Sequence, residues 1–391
     1  MGSWSAALLY FFPGLMTYKQ FVTIVAVFSA ACLVFQLIRR KGTVPRSFLM
    51  AVVVLTALLL AYMVTPLLYG TSNETHTSYF LVLVAQVAPA VMCAIFVAQD
   101  DKVQERMKRL APIISLFFTF IAYQAIFHPT GTTATGYIAN ENGLSYQSAT
   151  YLVAYAAGLM QYYLVSFDEV RWYRPFRNRF VKVLMFLLVL ADFFMALIAG
   201  GRGAVVLFGI VSLISVFLWT KKKNTGRGGM ITAMAVVVIL TAAAVYIIHL
   251  AATSSIATSG FGRILNTIET GESSGRDWVY DSAWAAIAER PFFGHGLGSV
   301  YFEMGYYAHN FFLDAMVETG IVGCIFWVVI LAKVIRNLVL MVKKDRTDYI
   351  WAVIFLDGFM MSMFSGYYLI IVPIAWVMAF LVQYRKRQEY E

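Results

Sequence analysis

The chain has 391 residues, of which 60% are hydrophobic and only 13% are charged, and its mean hydropathy is +0.72. These values exclude an ordinary soluble domain, in which about 25% of residues are charged. Apolar runs of about 16–23 residues recur along the chain, and about 20 residues suffice to cross the hydrocarbon core of a membrane. We therefore predict an all-α polytopic membrane protein, with residues 1–391 forming a single integral membrane domain.

The apolar runs predict about twelve transmembrane helices. The first run is short and contains Pro13 and Gly14, so a count of eleven stays open. In chain order, the predicted spans are 4–17, 21–38, 47–69, 80–98, 110–128, 149–166, 183–199, 203–219, 230–250, 311–332, 349–365 and 368–384.

The net charge of +9 is distributed unevenly over the predicted connections. All but five of the 30 Lys and Arg residues fall in alternate short connections, and the exceptions are Lys19, Arg202, Arg263, Arg276 and Arg290. Because basic residues are enriched in cytoplasmic loops, both termini are predicted to be cytoplasmic and the large loop at 251–309 to lie outside. Topology and anionic lipid headgroups account for the excess charge, so nucleic-acid binding is not predicted.

The turn around Arg202 is the first candidate binding site along the chain. It connects two predicted spans through Gly200, Gly201 and Gly203, which let the backbone turn sharply and let a ligand approach closely. Arg202 stands beside the start of the next helix, and helix N-termini bind anions. The alternative is an interfacial anchor that has no ligand.

The loop at 251–309 contributes two further arginines. The segment 277–287 predicts an amphipathic helix that is capped by the preceding serines and ends at Pro291, and short helices of this kind are expected in the loop. Arg276, at the start of this helix, is either an anion ligand or a charge of the capping region. Arg263 is a weaker candidate ligand, and Arg290 complements the dipole at the end of the helix.

His309 stands where the loop returns to the predicted span 311–332. A histidine can accept or give a proton near neutral pH, which makes it a candidate general base at the membrane surface. Asn310 can cap the helix that follows, which explains part of the pattern without chemistry. Taken alone, His309 also fits a hydrogen-bonded interface residue. His295, between two glycines, is either a loop residue or a substrate contact.

Arginines and a histidine on one side of a membrane fit a lipid-linked diphosphate, because guanidinium groups bind phosphate oxygens in pairs. A sugar diphosphate is a good leaving group, so one base suffices, whereas a glycosidase needs two carboxylates. Cys32, Cys93 and Cys324 lie far apart within predicted spans and suggest neither a disulfide framework nor a metal set. We predict no metal and no cofactor.

Four motifs, taken in order, resemble the O-antigen ligase and polymerase superfamily over about residues 180–325. They are Gly-Gly-Arg-Gly-Ala at 200–204, Ser-Gly-Arg-Asp-Trp at 274–278, Pro-Phe-Phe-Gly-His-Gly-Leu-Gly at 291–298, and the run from His309 to Gly323 that contains Glu-Thr-Gly-Ile-Val-Gly. The last motif is the specific one. The family often has a hydroxyl residue before its first arginine, and Gly201 stands at that place in this chain.

The resemblance implies a GT-C-like membrane glycosyltransferase that is metal-independent and inverting. Its donor would be a glycan on undecaprenyl diphosphate, and its site would face the outside of a bacterial cytoplasmic (inner) membrane. His309 would deprotonate the acceptor hydroxyl. The diphosphate would be bound by Arg202 and Arg276, with Arg263 as a third ligand. Secondary substrate contacts are expected from His295, Asn310 and Glu318.

The acceptor separates two activities within this family. A polymerase extends O-antigen, capsular or exopolysaccharide repeat units, whereas a ligase transfers the glycan to lipid A–core. We expect a polymerase from the Ala-His-Asn-Phe-Phe-Leu form around His309, with partners that include a chain-length regulator and a flippase. A different class of function also stays open, a transporter of lipid-linked sugars in which Asp192 and Asp357, inside predicted spans, are the coupling groups.

Overall fold

The protein is described from a computed structural model. The described residues are 44–127, 131–132, 138–139, 146–199, 202–222 and 276–388, with scattered positions at 27–38, 228, 231 and 235. The α-helices within these ranges are α1 (Arg46–Tyr69), α2 (Glu74–Val82), α3 (Ala88–Val97), α4 (Asp101–Phe127), α5 (Tyr146–Val165), α6 (Arg179–Ala199), α7 (Arg202–Lys222), α8 (Asp277–Glu289), α9 (Val300–Glu303), α10 (Phe311–Lys344), α11 (Ile350–Phe364) and α12 (Val372–Gln388).

The remaining regular structure consists of short connecting elements. A π-helical turn at Leu83–Val87 joins α2 to α3. Short 3₁₀ turns occupy Arg174–Arg177, Arg346–Tyr349 and Tyr368–Ile370. Two strands of two residues each, β1 (Gly131–Thr132) and β2 (Ile138–Ala139), pair antiparallel with Gly131 opposite Ala139. The described residues therefore confirm the predicted all-α class, apart from this one small hairpin.

Seven helices within the described residues are long and apolar enough to cross a membrane, and the protein is a multi-pass membrane protein. Every predicted span from 47–69 onward that falls on described residues coincides with a helix. The predicted span 4–17, all but two residues of 230–250 and half of 21–38 lie outside the described residues.

Helix α5 lies at the centre of the helical bundle, in contact with α4, α6 and α7. Its side chains are buried along almost the whole length, including the large rings of Tyr151 and Tyr162. Because protein surrounds it on all sides, α5 tolerates polar residues such as Gln161, whose amide donates to the Ser212 hydroxyl at 2.9 Å.

Several helices extend beyond the predicted spans because polar end groups continue them. Helix α2 begins at Glu74 rather than at 80, since the Asn73 side chain caps it by accepting from the backbone N–H groups of Thr75 and His76. Helix α10 continues to Lys344 rather than ending at 332, and basic side chains in its last turn complement the helix dipole.

Helix α10 is interrupted at Gly320, whose backbone is non-helical (φ 61°, ψ −167°). The segment 291–296 pairs with the broken turn. Ile321 N–H donates to the Pro291 carbonyl at 2.8 Å, and Gly296 N–H donates to the Glu318 carbonyl at 2.9 Å. Non-helical backbone at membrane depth is tolerated only where protein satisfies its polar groups. The break therefore fixes the segment 291–296 onto the membrane helix.

Candidate active site

The free carbonyl end of helix α11 is the meeting point of the candidate site. An Arg276 guanidinium nitrogen, Nη2, donates to the Phe364 carbonyl at 2.8 Å. The Tyr307 hydroxyl donates to the Ser365 carbonyl at 3.3 Å. His309 is also hydrogen-bonded to the Ser365 backbone. The last carbonyls of a helix carry partial negative charge and have no partner within the helix, so this end gathers donors from the segment 276–309.

Arg276 holds the position that the sequence predicts for it, at the start of a loop helix. It is the N-cap residue of α8, and its own side chain forms no capping hydrogen bond. The predicted cap depends on the serines that precede it. Ser273 and Ser274 themselves lie outside the described residues.

The start of helix α7 packs against the same end of α11. A methyl group on Gly203 would overlap the Tyr151 hydroxyl and come within 2.9 Å of Phe364 Cβ. Tyr151 in turn donates to the Met360 carbonyl at 3.1 Å. Arg202 is thus one residue away from a glycine that packs against the Phe364 side chain, although the side chain of Arg202 lies outside the described residues.

His309 has a backbone conformation that its neighbours impose. Its φ is 54°, and it is the one non-glycine residue with positive φ in the described part of the chain. The left-handed conformation costs an L-residue about 1–2 kcal/mol. Two contacts hold it: Asp314 Oδ1 accepts from Ala308 N–H at 2.6 Å, and Asn310 caps α10 by accepting from Phe312 N–H at 3.0 Å. Strain of this kind persists where the surrounding structure over-determines it, often at functional sites.

The environment of the His309 ring keeps the imidazole neutral. Burial, and secondly the charge of Arg276, lower its pKa from 6.5 to about 4, and the Ser365 hydrogen bond opposes this shift. The Nδ1 atom is buried and has no hydrogen-bond partner among the described residues. At neutral pH one ring nitrogen therefore carries a free lone pair that can accept a proton.

Two tyrosines complete the surroundings of His309. The Tyr307 ring packs edge-on against the imidazole, with 4.5 Å between the centroids, and Tyr306 stacks on Tyr307 at 4.4 Å. Burial raises the pKa of Tyr307, with Tyr306 adding to the shift, so Tyr307 is a neutral hydrogen-bond donor. Neither tyrosine was among the residues predicted from sequence.

His295 and Glu318 are built into the contact between the loop and α10. Both ring nitrogens of His295 are engaged, Nε2 with the Ala286 carbonyl at 2.8 Å and Nδ1 with the Glu303 carboxylate at 3.0 Å. Glu318 is 1% exposed and accepts from the Tyr367 hydroxyl at 2.6 Å, the Tyr368 hydroxyl at 2.8 Å and the Gly298 N–H at 2.9 Å. These contacts position the loop. For His295, they correspond to the role of a loop residue, one of the two roles that the sequence left open.

The other predicted residues occupy different places. Arg263 lies outside the described residues. Asn310 is the N-cap of α10. Asp192 is buried in α6, where it accepts from the Thr119 hydroxyl at 3.0 Å, and Asp357 is buried in α11.

One group of side chains in the described part of the chain has the composition of a metal site. The ligand atoms of Glu289, His295 and Glu303 lie within 4.8 Å of one another. Glu289 is exposed, and His295 and Glu303 already pair with each other. This group includes neither Arg276 nor His309, so the chemistry of the candidate site does not depend on it.

Comparison with known families assigns the part of the chain that carries this site. Residues 184–328 match the family model described as O-Antigen ligase. This match supports the resemblance of the chain to the O-antigen ligase and polymerase superfamily. The match contains Arg202, Arg276 and His309, and it extends over about the range of the motifs recognised in the sequence. No curated protein and no solved structure matches the chain.

The O-antigen ligase family implies glycosyl transfer between a lipid-linked glycan and an acceptor. The site described above is compatible with such substrates, because it offers a fixed cation, a helix start and a neutral imidazole at one end of a membrane helix.

Replacing Gly203 by alanine tests whether the start of α7 must lie against α11. The new methyl group overlaps the Tyr151 hydroxyl, and overpacking of this kind costs about 1–3 kcal/mol. We expect a lower unfolding temperature and reduced glycan transfer. The double variant Gly203→Ala/Tyr151→Phe removes the overlapping oxygen, so we expect it to recover part of both losses.

Gly209→Ala is the matched control, because it lies in the same helix and nothing stands within 4 Å of its added methyl group. Equal behaviour of Gly203→Ala and Gly209→Ala, in thermal unfolding and in transfer, contradicts the close contact.

Proposed function

We propose that the protein is a membrane glycosyltransferase that transfers a glycan from undecaprenyl diphosphate to the hydroxyl of an acceptor sugar, and that it polymerises O-antigen, capsular or exopolysaccharide repeat units. The observation that carries the proposal is the strained, neutral His309 beside Arg276 at the end of α11. The O-antigen ligase match over residues 184–328 supports the reaction type.

Binding of the donor diphosphate is assigned to Arg276 and the start of α7. Arginine has five N–H donors, and the one hydrogen bond of Arg276 to Phe364 leaves others for phosphate oxygens. Arg202 adds a second cation next to the free N–H groups of a helix N-terminus, where anions bind favourably. Arg263 is proposed as a third ligand from its position in the same outer loop.

The chemical step proposed is a single displacement at the anomeric carbon. The acceptor oxygen forms a bond to that carbon while the bond from the carbon to the diphosphate oxygen breaks. The acceptor proton passes to His309, and the electron pair of the broken bond leaves with undecaprenyl diphosphate. Attack from the face opposite the leaving group inverts the anomeric configuration. In this scheme the arginines supply the positive charge that stabilises the leaving group.

Arg276 couples donor binding to the basicity of His309. In the free protein, its charge helps to hold the His309 pKa near 4. A bound diphosphate brings negative charge next to Arg276 and offsets this effect, because an anion favours the protonated imidazole. The pKa of His309 therefore rises as the donor binds, and the base becomes stronger when its substrate is present.

The alternative acceptor is lipid A–core, which would make the protein a ligase. The description of the matching family as O-Antigen ligase favours this alternative, whereas the sequence form around His309 favours the polymerase. A GT-C-like arrangement, an outward-facing site in the bacterial inner membrane, and association with a flippase and a chain-length regulator belong to the same proposal.

Replacing His309 by alanine in the purified protein tests the proposal. In liposomes supplied with the undecaprenyl-diphosphate-linked glycan, we expect transfer to fall by about 10²–10⁴-fold, the usual contribution of a positioned base. Binding of the donor should persist, because the arginines remain. His128→Ala is the control, since we assign that residue no role. Transfer by His309→Ala at the unsubstituted rate would falsify the role of His309.

The same assay with two acceptors distinguishes the activities. A second lipid-linked repeat should be extended into a polymer, whereas purified lipid A–core should stay unmodified. Glycan transfer to lipid A–core alone makes the protein a ligase. Movement of the donor across the bilayer without any glycan transfer makes it a transporter.

The pH dependence of transfer provides a separate prediction. Below its pKa, His309 is protonated and cannot accept the acceptor proton, so the rate falls as the pH drops through that value. Since kcat/KM reports the free enzyme, its acid limb should lie near the pKa of about 4. The acid limb of kcat should lie at higher pH, because donor binding raises the pKa.

The variant Arg276→Gln removes the charge that lowers the His309 pKa. We expect kcat/KM to fall at all pH values, through weaker donor binding, and its acid limb to move upward. An acid limb that stays at the same pH in both proteins contradicts the coupling between Arg276 and His309.

A further inference from the structure

Two adjacent phenylalanines, Phe292 and Phe293, lie on the turn that follows α8. Phe292 is 66% exposed and Phe293 is 78% exposed. Exposing a ring of this size to water forgoes about 1.5–3 kcal/mol of burial. Two such rings side by side on a short turn indicate a surface that contacts an apolar partner.

The turn is held rigidly against helix α10. Besides the bond from Ile321 N–H to Pro291, Val322 N–H donates to the Phe292 carbonyl at 3.2 Å. A methyl group on Gly320 would overlap the Phe292 backbone, so only glycine allows this approach. The level of the Phe292–Phe293 tip along α10 is therefore fixed at residues 320–322.

The surface of α10 changes character at this level. From Phe311 to Gly320 most of the helix is buried in protein, including Val317 and Glu318. From Ile321 onward it presents large apolar side chains, with Ile321 46% exposed and Phe326 60% exposed. In a membrane-spanning helix, such a surface faces lipid. The Phe292–Phe293 tip continues this lipid-facing surface.

The charges of α10 set the depth of the tip. Lys333 is the first basic residue on the cytoplasmic side of this helix and is exposed. A hydrocarbon core of about 30 Å corresponds to about 20 helical residues, so counting back from Lys333 places the outer boundary near residue 313. Residues 320–322 lie below that boundary. Arg290, exposed just before the turn, carries a charge suited to lipid phosphates at the surface.

We propose that the turn Pro291–Gly294 inserts into the outer leaflet of the membrane, with Phe292 and Phe293 surrounded by the acyl chains of bilayer lipids. The partner of this surface is thus the hydrocarbon of the membrane. Insertion fixes the depth of the segment 276–309, which begins with Arg276 and ends with His309. The proposal does not depend on the reaction assigned to the site.

Photo-crosslinking tests the insertion in the full-length protein. Benzoylphenylalanine is placed at residue 293 in nanodiscs of phosphatidylethanolamine and phosphatidylglycerol. The positive control carries it at Ile325, which is exposed on the apolar part of α10, and the negative control carries it at Asp281, which is exposed on α8. We expect residues 293 and 325 to yield adducts with lipid acyl chains and residue 281 to yield none.

The proposal is overturned if residue 293 yields no lipid adduct while residue 325 does, or if residue 293 couples to a second polypeptide instead. A second measurement uses the variant Phe293→Cys in a background without the native cysteines. A membrane-impermeant maleimide should label it at least about tenfold more slowly than Asp281→Cys, because the thiol lies within the apolar layer. Equal labelling rates contradict insertion.

Discussion

The site depends on the free carbonyl end of one membrane helix. Helix α11 stops at Phe364, and its last carbonyl groups need donors that the helix cannot provide. Arg276, Tyr307 and His309 supply them from the segment 276–309, while the start of α7 packs onto Phe364 through Gly203. One backbone requirement thus brings together segments that lie far apart in the sequence. The cationic and the basic groups of the proposed reaction become neighbours through it.

A second constraint fixes the loop relative to the membrane. The break at Gly320 and the buried Glu318 carboxylate join the loop to α10 and to the tyrosines at 367–368. These contacts use backbone groups and a carboxylate whose two oxygens both accept hydrogen bonds, so they favour one position of the loop relative to α10. The strained backbone conformation of His309 persists because this arrangement is rigid, with Asp314 and Asn310 holding the turn.

The sequence predicts the helices and the local motifs better than the contacts between them. Hydropathy indicates the spans, and the glycine turn, the loop helix and the Asn310 cap follow from local patterns. The contacts of Phe364 and Ser365 were not predictable, because their backbone carbonyls have no sequence signature. Tyr307 could not be singled out because the chain contains 23 tyrosines. Asp314 has no distinguishing sequence pattern, and only the structure shows its hydrogen bond from Ala308 N–H. The motif Glu-Thr-Gly-Ile-Val-Gly led to the expectation that Glu318 contacts substrate. In the structure, the same motif contains Gly320, at which α10 is interrupted.

A structure of the His309→Ala protein in nanodiscs, with the undecaprenyl-diphosphate-linked glycan bound, tests the location of the donor site. We expect the diphosphate to lie within hydrogen-bond distance of Arg276 and of the start of α7, with the anomeric carbon facing the space left by the imidazole. A donor diphosphate that touches neither Arg276 nor the start of α7 contradicts the proposed site.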